Sequence, residues 1–406
     1  MAITFQQAQL PNGLTVIAEC DDQAHSAAVG YFVKTGARDE LTPVMGVSHF
    51  LEHMMFKGTP TRTAEQLNRD FDRIGAKNNA YTSGEMTCFH ATVLPETLAT
   101  ANEILADMLR PALREEDFTT EKGVILEEIA MYDDNPFWVL YEKAMETYYG
   151  AHPLGHRVLG TKESITALRV EQMREYFRTR YSADNTVLAL AGKMDFARVV
   201  EQVQEVCGGW ERTGTARQYQ TLAQGNHEFE VRDAKVNRAY TIMIAPAPSA
   251  TDERRYAASL LSEILGGADN SRLHWALIEP GLADEAQAGF DPRDGTGDML
   301  VFCSCDPDRR DEVWGVVERE LATLADSIKE EDLERIRAKF ATAVTVGGER
   351  PSGRMQRLGR QWLYLSRHTT LEEELERISR VTVGDLRDLV REFPFRPRTV
   401  GRLLPE

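Results

Sequence analysis

Apolar and polar positions alternate in two separated parts of the chain, and the gap between them sets the layout. Leu14-Thr15-Val16-Ile17 and Ala27 to Val33 read as strands, and Thr186-Val187-Leu188-Ala189-Leu190-Ala191-Gly192 reads as the strand that closes a first half. An amphipathic helix follows and ends near Cys207. Residues 211 to 227 turn polar and lose any period, which marks a linker. Alternation resumes at Phe229, runs through Val236 and continues as Tyr240-Thr241-Ile242-Met243-Ile244, while Phe393-Pro394-Phe395-Arg396-Pro397 marks a turn before a last strand. The predicted class is α+β. Residues 1–210 and 228–406 form two domains joined by the 211–227 linker, each a mixed or antiparallel sheet packed with helices.

The two halves share a register. Ile165-Thr166-Ala167-Leu168 through Thr186-Val187 aligns without gaps on Ile378-Ser379-Arg380-Val381 through Thr399-Val400, an offset of 213 (Ile378 against Ile165), and the same offset sets Asp39-Glu40 on Asp252-Glu253. A repeat of half the chain is far longer than a solenoid unit and indicates duplicated, homologous domains. At 406 residues two cores are the natural expectation. The 42% hydrophobic content suffices to fill them, and no run of 18 apolar residues suggests a membrane helix. A net charge of −17 argues against nucleic acid as a partner. The first residues carry neither a basic leader nor an apolar core of signal-peptide length, so the expected location is cytoplasmic. Five scattered cysteines show no metal spacing; Cys303 and Cys305 share one face of an apparent strand, and buried reduced thiols are expected.

The strongest chemical signal is His49-Phe50-Leu51-Glu52-His53. On a helix, positions i and i+4 share a face, so both imidazoles can address one metal ion with Glu52 beside them. Zinc brings the ionisation of a bound water near neutral pH, and a neighbouring carboxylate can accept its proton and pass it on. Two ligands leave such a site incomplete. The acidic segment Glu121-Lys122-Gly123-Val124-Ile125-Leu126-Glu127-Glu128-Ile129 is the place to look for a third, with Glu121 and Glu128 two turns apart on one face and Glu127 turned away by about 100°. His152 and His156 lie in a Pro/Gly-containing loop. His25, His90, His227, His274 and His368 have no metal-spaced partner.

The order of this box, then Asn79-Ala80-Tyr81-Thr82-Ser83-Gly84-Glu85, then Glu121 to Ile129, then His152-Pro153-Leu154-Gly155, resembles the inverted-zinc-motif peptidases of the pitrilysin family. The resemblance covers most of the chain and is closest to the small-chain members, similar to mitochondrial processing peptidase subunits and their bacterial relatives. It implies a zinc-dependent endopeptidase or oligopeptidase holding one zinc ion, with His49, His53 and Glu128 as ligands and Glu52 as catalytic base. Glu121 would orient a ligand or carry charge near the metal. The second half carries Ser262, Leu265 and Gly266 where the offset maps His49, Glu52 and His53, so it lacks the ligands and would shape the cleft.

Residues 79 to 93 read as a strand after the metal helix. An edge strand there could add an extended peptide by backbone pairing, and an internal strand fits the pattern equally well. The resemblance implies that it lines the substrate cleft, with Asn79, Ala80 and Tyr81 as contacts. Members that work alone carry an Arg and a Tyr seven apart after a Gly-Gly turn and Ser-Arg-Leu. This chain keeps Gly266-Gly267, Ser271-Arg272-Leu273 and Gly281-Leu282-Ala283, but has Asp284 at the Tyr position and Leu277 or Ile278 at the Arg position. The expectation is therefore a heterodimer in which a homologous subunit supplies that pair. The alternative, a non-catalytic structural or assembly subunit of the same fold, is disfavoured by the intact box, and a metal carrier would have no use for Glu52.

Overall fold

The computed structural model describes residues 3–223, 225–267 and 269–406. Among these the strands are β1 (Thr4–Gln9), β2 (Thr15–Cys20), β3 (Ala27–Val33), β4 (Lys77–Thr82), β5 (Thr87–Val93), β6 (Thr186–Gly192), β7 (His227–Arg232), β8 (Ala239–Pro246), β9 (Glu285–Pro292), β10 (Gly297–Cys305) and β11 (Thr399–Leu404). The helices are α1 (Val47–Met55), α2 (Ala64–Arg73), α3 (Leu98–Met108), α4 (Glu115–Asp133), α5 (Pro136–Tyr149), α6 (Lys162–Ala167), α7 (Val170–Arg180), α8 (Phe196–Cys207), α9 (Arg255–Gly266), α10 (Arg310–Ser327), α11 (Glu330–Glu349), α12 (Pro351–Leu365), α13 (Leu371–Arg380) and α14 (Val383–Glu392). None of the helices is long and apolar enough to cross a membrane.

Two mixed sheets carry the fold. The first has the order β1-β2-β6-β3-β5-β4 and the second β7-β11-β8-β10-β9. Strand for strand, the second repeats β2-β6-β3-β5-β4. In each, the closing strand runs parallel to the opening one and antiparallel to the next, with β6 set on β2 and β3, and β11 on β7 and β8. The sequence repeat thus reappears as shared topology: α6, α7 and β6 have α13, α14 and β11 as counterparts.

Grouped by contact, the chain forms two compact units. One comprises residues 1–130, 156–218 and 346–369, the other 131–155, 219–345 and 370–406. The first sheet is built from residues between Thr4 and Gly192 and the second from residues between His227 and Leu404, and two helical segments are grouped with the sheet of the other half. Met355, Leu358 and Leu363 of α12 pack with Ile17, Ala28, Phe32, Val187 and Ala189 of the first sheet. Leu140, Ala144, Met145 and Tyr148 of α5 pack with Ile242, Ile244, Phe302 and Leu403 of the second. The 213 offset carries α5 onto residues 349–362, so the exchanged helices are themselves repeat counterparts. Gly359 permits the approach of α12, because a Cβ there would lie 2.2 Å from the Phe32 ring.

Two expectations need adjustment. Residues 79–93 form a hairpin, β4 turning into β5, where a single strand was expected. Ser83 builds the turn, its backbone N–H donating to the Met86 carbonyl at 2.8 Å and its hydroxyl accepting the Met86 N–H at 3.1 Å. The alternation from Phe229 to Val236 also stops early, since β7 ends at Arg232. The Asp233 side chain accepts the Lys235 N–H in a turn that leads to β8. Cys303 and Cys305 are buried on β10 as anticipated, and all five thiols are free.

Candidate metal centre

Helix α1 has apolar residues at Val47, Phe50, Leu51, Met54 and Met55, all buried, which is the spacing of one core-facing stripe. His49, Glu52 and His53 occupy the remaining arc. The helix start is fixed by Glu40, whose carboxylate accepts the N–H of Gly46 at 2.6 Å and of Ser48 at 2.7 Å, two of the donors that a helix end leaves unpaired. Burial pushes the Glu40 carboxyl up to about 8, against those two backbone bonds, which favour its charged form.

Helix α4 brings its acidic residues to the same place. Phe118, Glu121, Ile125 and Ile129 form its buried face, Glu128 is half-buried beside them and Glu127 is exposed. His49 Nε2 lies 3.8 Å from Glu128 Oε1 and His53 Nε2 lies 3.6 Å from Glu128 Oε2, with one donor atom of each residue within 4.8 Å of the others. These separations exceed hydrogen-bond length and approach the roughly 3.3–3.5 Å that neighbouring donors adopt around a tetrahedral ion with bonds of about 2.0–2.2 Å. His49, His53 and Glu128 could therefore hold a metal ion.

The surroundings prepare the rings for that use. His53 Nδ1 lies 2.9 Å from Glu121 Oε1. Donation of the Nδ1 proton to this carboxylate leaves the Nε2 lone pair facing Glu128. Glu121 is buried and its other oxygen pairs with Lys57. Burial, helped by the adjacent His53, depresses His49 to about 3, so its imidazole stays neutral. His49 Nδ1 is buried without a hydrogen-bond partner among the described residues. Glu52 accepts the Thr82 hydroxyl at 2.7 Å, and burial raises its carboxyl above the ordinary value despite that bond.

Strand β4 ends the sheet order and pairs with β5 and with no other described strand. Asn79 accepts the N–H of Ala80 at 2.9 Å through its side chain, and Ala80 is buried. The Tyr81 side chain turns to α12, where its hydroxyl donates to Gln356 at 2.8 Å and the Arg360 guanidinium stands 5.7 Å from the ring centre. Its successor Thr82 points the opposite way, to Glu52, as strand alternation requires. His152 serves its own loop by accepting the Leu154 N–H at 3.2 Å. In the second unit Leu277 is fully buried and the Asp284 carboxylate pairs with Arg238.

Sequence reasoning did not single out Thr82, Glu40 or Lys57. Thr82 lies inside the segment that carried the resemblance and Glu40 inside the Asp39-Glu40 repeat match, so both had a signal without a role attached.

Residues 15–162 match the family described as insulinase (peptidase family M16), and residues 167–340 match the peptidase M16 inactive domain. An uncharacterized zinc protease of Mycobacterium tuberculosis is 32% identical over 404 residues, spanning 97% of this chain and 91% of the relative. One from Bacillus subtilis is 30% identical over 385 residues, spanning 94% of each. Among solved structures, a protease from Helicobacter pylori superposes with a TM-score of 0.92 at 20% identity, covering 100% of both chains. A peptidase M16 inactive domain from Pseudomonas fluorescens superposes with a TM-score of 0.93 at 16% identity, covering 100% of this chain and 99% of that one. The last two establish the shared fold, and the sequence matches establish the lineage: the chain belongs to the insulinase family of peptidases, peptidase family M16.

Proposed function

We propose that this chain is a zinc-dependent peptidase that hydrolyses extended peptides, with His49, His53 and Glu128 as the ligands and Glu52 as the base. The observation that carries the reading is the convergence of three donors on one gap, with the half-buried Glu52 carboxylate in the same helical turn. A zinc ion there supplies a water that ionises near neutral pH and a Lewis acid for the scissile carbonyl. Glu52 takes the proton of the attacking water and returns it to the leaving amine. The Thr82 hydroxyl fixes one of its oxygens, and its raised affinity for a proton suits a group that must both accept and donate. The substrate adds to the open edge of β4 along Asn79, Ala80 and Tyr81, a path that ends at Thr82 and so beside the base. Such pairing selects extended backbone more than side-chain identity.

The chain acts as one subunit of a heterodimer, and a homologous partner contributes the Arg and Tyr. Supporting this, a buried aliphatic group at Leu277 and an ion-paired carboxylate at Asp284 cannot donate to an oxyanion. A cytoplasmic location fits the five free thiols.

The test is cleavage of a quenched-fluorescence peptide library by the zinc-loaded chain alone and with a co-purified homologous chain, Glu52→Gln serving as the blank. Glu52→Gln is expected to retain zinc and to lower kcat by about 10²–10⁴-fold. Turnover by the chain alone would overturn the heterodimer, and turnover that survives Glu52→Gln would overturn the assigned base.

A further inference from the structure

Residues 211–223 carry no regular element, yet one side chain within them is among the most enclosed cations of the unit. The Arg217 side chain is 2% exposed. Its fork closes on Asp39, Nε donating to Oδ1 at 3.0 Å and Nη2 to Oδ2 at 2.8 Å. Nη2 also donates to the Glu85 carbonyl at 2.5 Å, and Nη1 lies 3.7 Å from the Glu85 carboxylate. A bidentate pair with a further donation admits one placement of the ring of donors, and burial makes each unmade bond costly.

Two loops meet at this guanidinium, and each governs one part of the site. The first is residues 36–40. Asp39 is held there by Arg217, and its carbonyl accepts from Arg180 at 3.2 Å, while the next residue, Glu40, accepts the N–H groups that start α1. The second is the turn from β4 to β5. Glu85 within it pairs with Arg38 at 2.5 Å and accepts the Tyr364 hydroxyl at 3.0 Å, and Thr82 at its start holds Glu52. The loops are laced together by Ala37 N–H to the Ser83 carbonyl at 3.2 Å and Arg38 N–H to the Gly84 carbonyl at 2.8 Å. Gly36 makes this approach possible, because a Cβ there would stand 2.3 Å from the Ser83 oxygen.

We infer that Arg217 is a positioning residue for the base: by holding the loop that begins the metal helix and the turn that carries Thr82 against one another, it sets Glu52 relative to His49 and His53. The role rests on the peptidase reading given above. Glu52 reaches its place from two directions, along α1 from Glu40 and across the hydrogen bond from Thr82, and Arg217 bonds to Asp39 next to the first and to Glu85 in the turn that follows the second. A lysine cannot reproduce this, because an ammonium is a point charge without the planar fork. The segment that joins the repeats in sequence is on this account part of the catalytic scaffold.

The test compares full-length wild type, Arg217→Lys and Arg217→Ala by hydrogen exchange, zinc competition with a chelator, and kcat and KM against a cleaved peptide over a pH series, with the partner subunit present if activity needs it. Exchange is expected to quicken at residues 36–48 and 82–86 in both variants. Catalysis should show kcat lowered about tenfold or more, KM within about threefold and a displaced acid limb of the kcat profile, with Arg217→Lys only partly restoring the rate. Unchanged exchange at 82–86, or a kcat within twofold of wild type in Arg217→Ala, would overturn the assignment. If Arg217→Ala does not fold, Arg217→Lys carries the same readouts. A wild type without activity on any peptide would count against the peptidase reading, and the exchange and zinc data would still decide whether Arg217 holds the two loops.

Discussion

Glu121 places a single buried carboxylate behind the candidate metal ligands. It accepts from the far nitrogen of His53 and holds Lys57 on its other oxygen, so its charge is matched on one side and used on the other. Glu121→Gln keeps an acceptor for His53 but removes the charge, whereas Glu121→Ala leaves the ring without a fixed tautomer. The expected outcome is a zinc affinity weakened about tenfold for the first and up to about a hundredfold for the second, read by chelator competition. At this scale the sequence was legible wherever the chemistry was local. The spacing of His49 and His53 follows from helix geometry, and Glu128 lies two turns from Glu121 by the same rule. Thr82 and Arg217 were not legible as parts of the site, because each acts across a long separation that only the folded chain closes, and Glu40 was not because it reaches six and eight residues on across a loop that has no helical spacing. Tyr81 illustrates the same limit: its side chain faces α12, a contact between positions 81 and 356.

Among the elements, α12 is attached to the first sheet by charge as well as by apolar packing. Glu19 of β2 is buried and receives Arg357 at 2.8 Å, Arg354 at 3.4 Å and His368 at 3.0 Å. Burial raises its carboxyl, but the His368 bond and the two guanidinium charges outweigh that, and its pKa falls below the ordinary 4.5. A folded-state pKa below the unfolded one means stability that is present above about pH 4.5 and lost as pH falls through the folded value. Glu19→Gln should therefore cost about 1–3 kcal/mol at pH 7, since it removes the buried charge that faces two half-buried guanidinium groups, and the gap to wild type should close on acidification. Thermal unfolding of both chains between pH 7 and pH 3 checks the sign; a gap that widens toward acid would refute it. Helices α5 and α12 each bury an apolar face. The sequence could not reveal which sheet each face covers, because both sheets offer an apolar face, Ile17, Phe32 and Val187 in one and Ile242, Phe302 and Leu403 in the other. The turn at Ser83 escaped a single-strand reading because its flanks share one composition.

For the whole molecule, connectivity matters more than any one contact. The chain passes from one compact unit to the other at residues 130/131, 155/156, 218/219, 345/346 and 369/370. Neither unit is a continuous piece of sequence, so neither can be obtained by simple truncation. A chain ending at residue 345 lacks α12 and should leave Ile17, Phe32, Val187 and Ala189 open to solvent. Such a fragment, which also lacks β11 of the second sheet, is expected to bind a hydrophobic dye, to lose part of it when a peptide of residues 346–369 is added and the rest only with residues 370–406; no loss on adding 346–369 would speak against the exchange. The order of events on the ribosome follows from the same arrangement. Gly192 completes the first sheet, and Pro351, where its covering helix begins, follows 159 positions later. At about 5–20 residues per second the nascent chain carries that apolar face uncovered for roughly 8–30 s, which makes the first half a client for chaperones until nearly the last of the protein has been made.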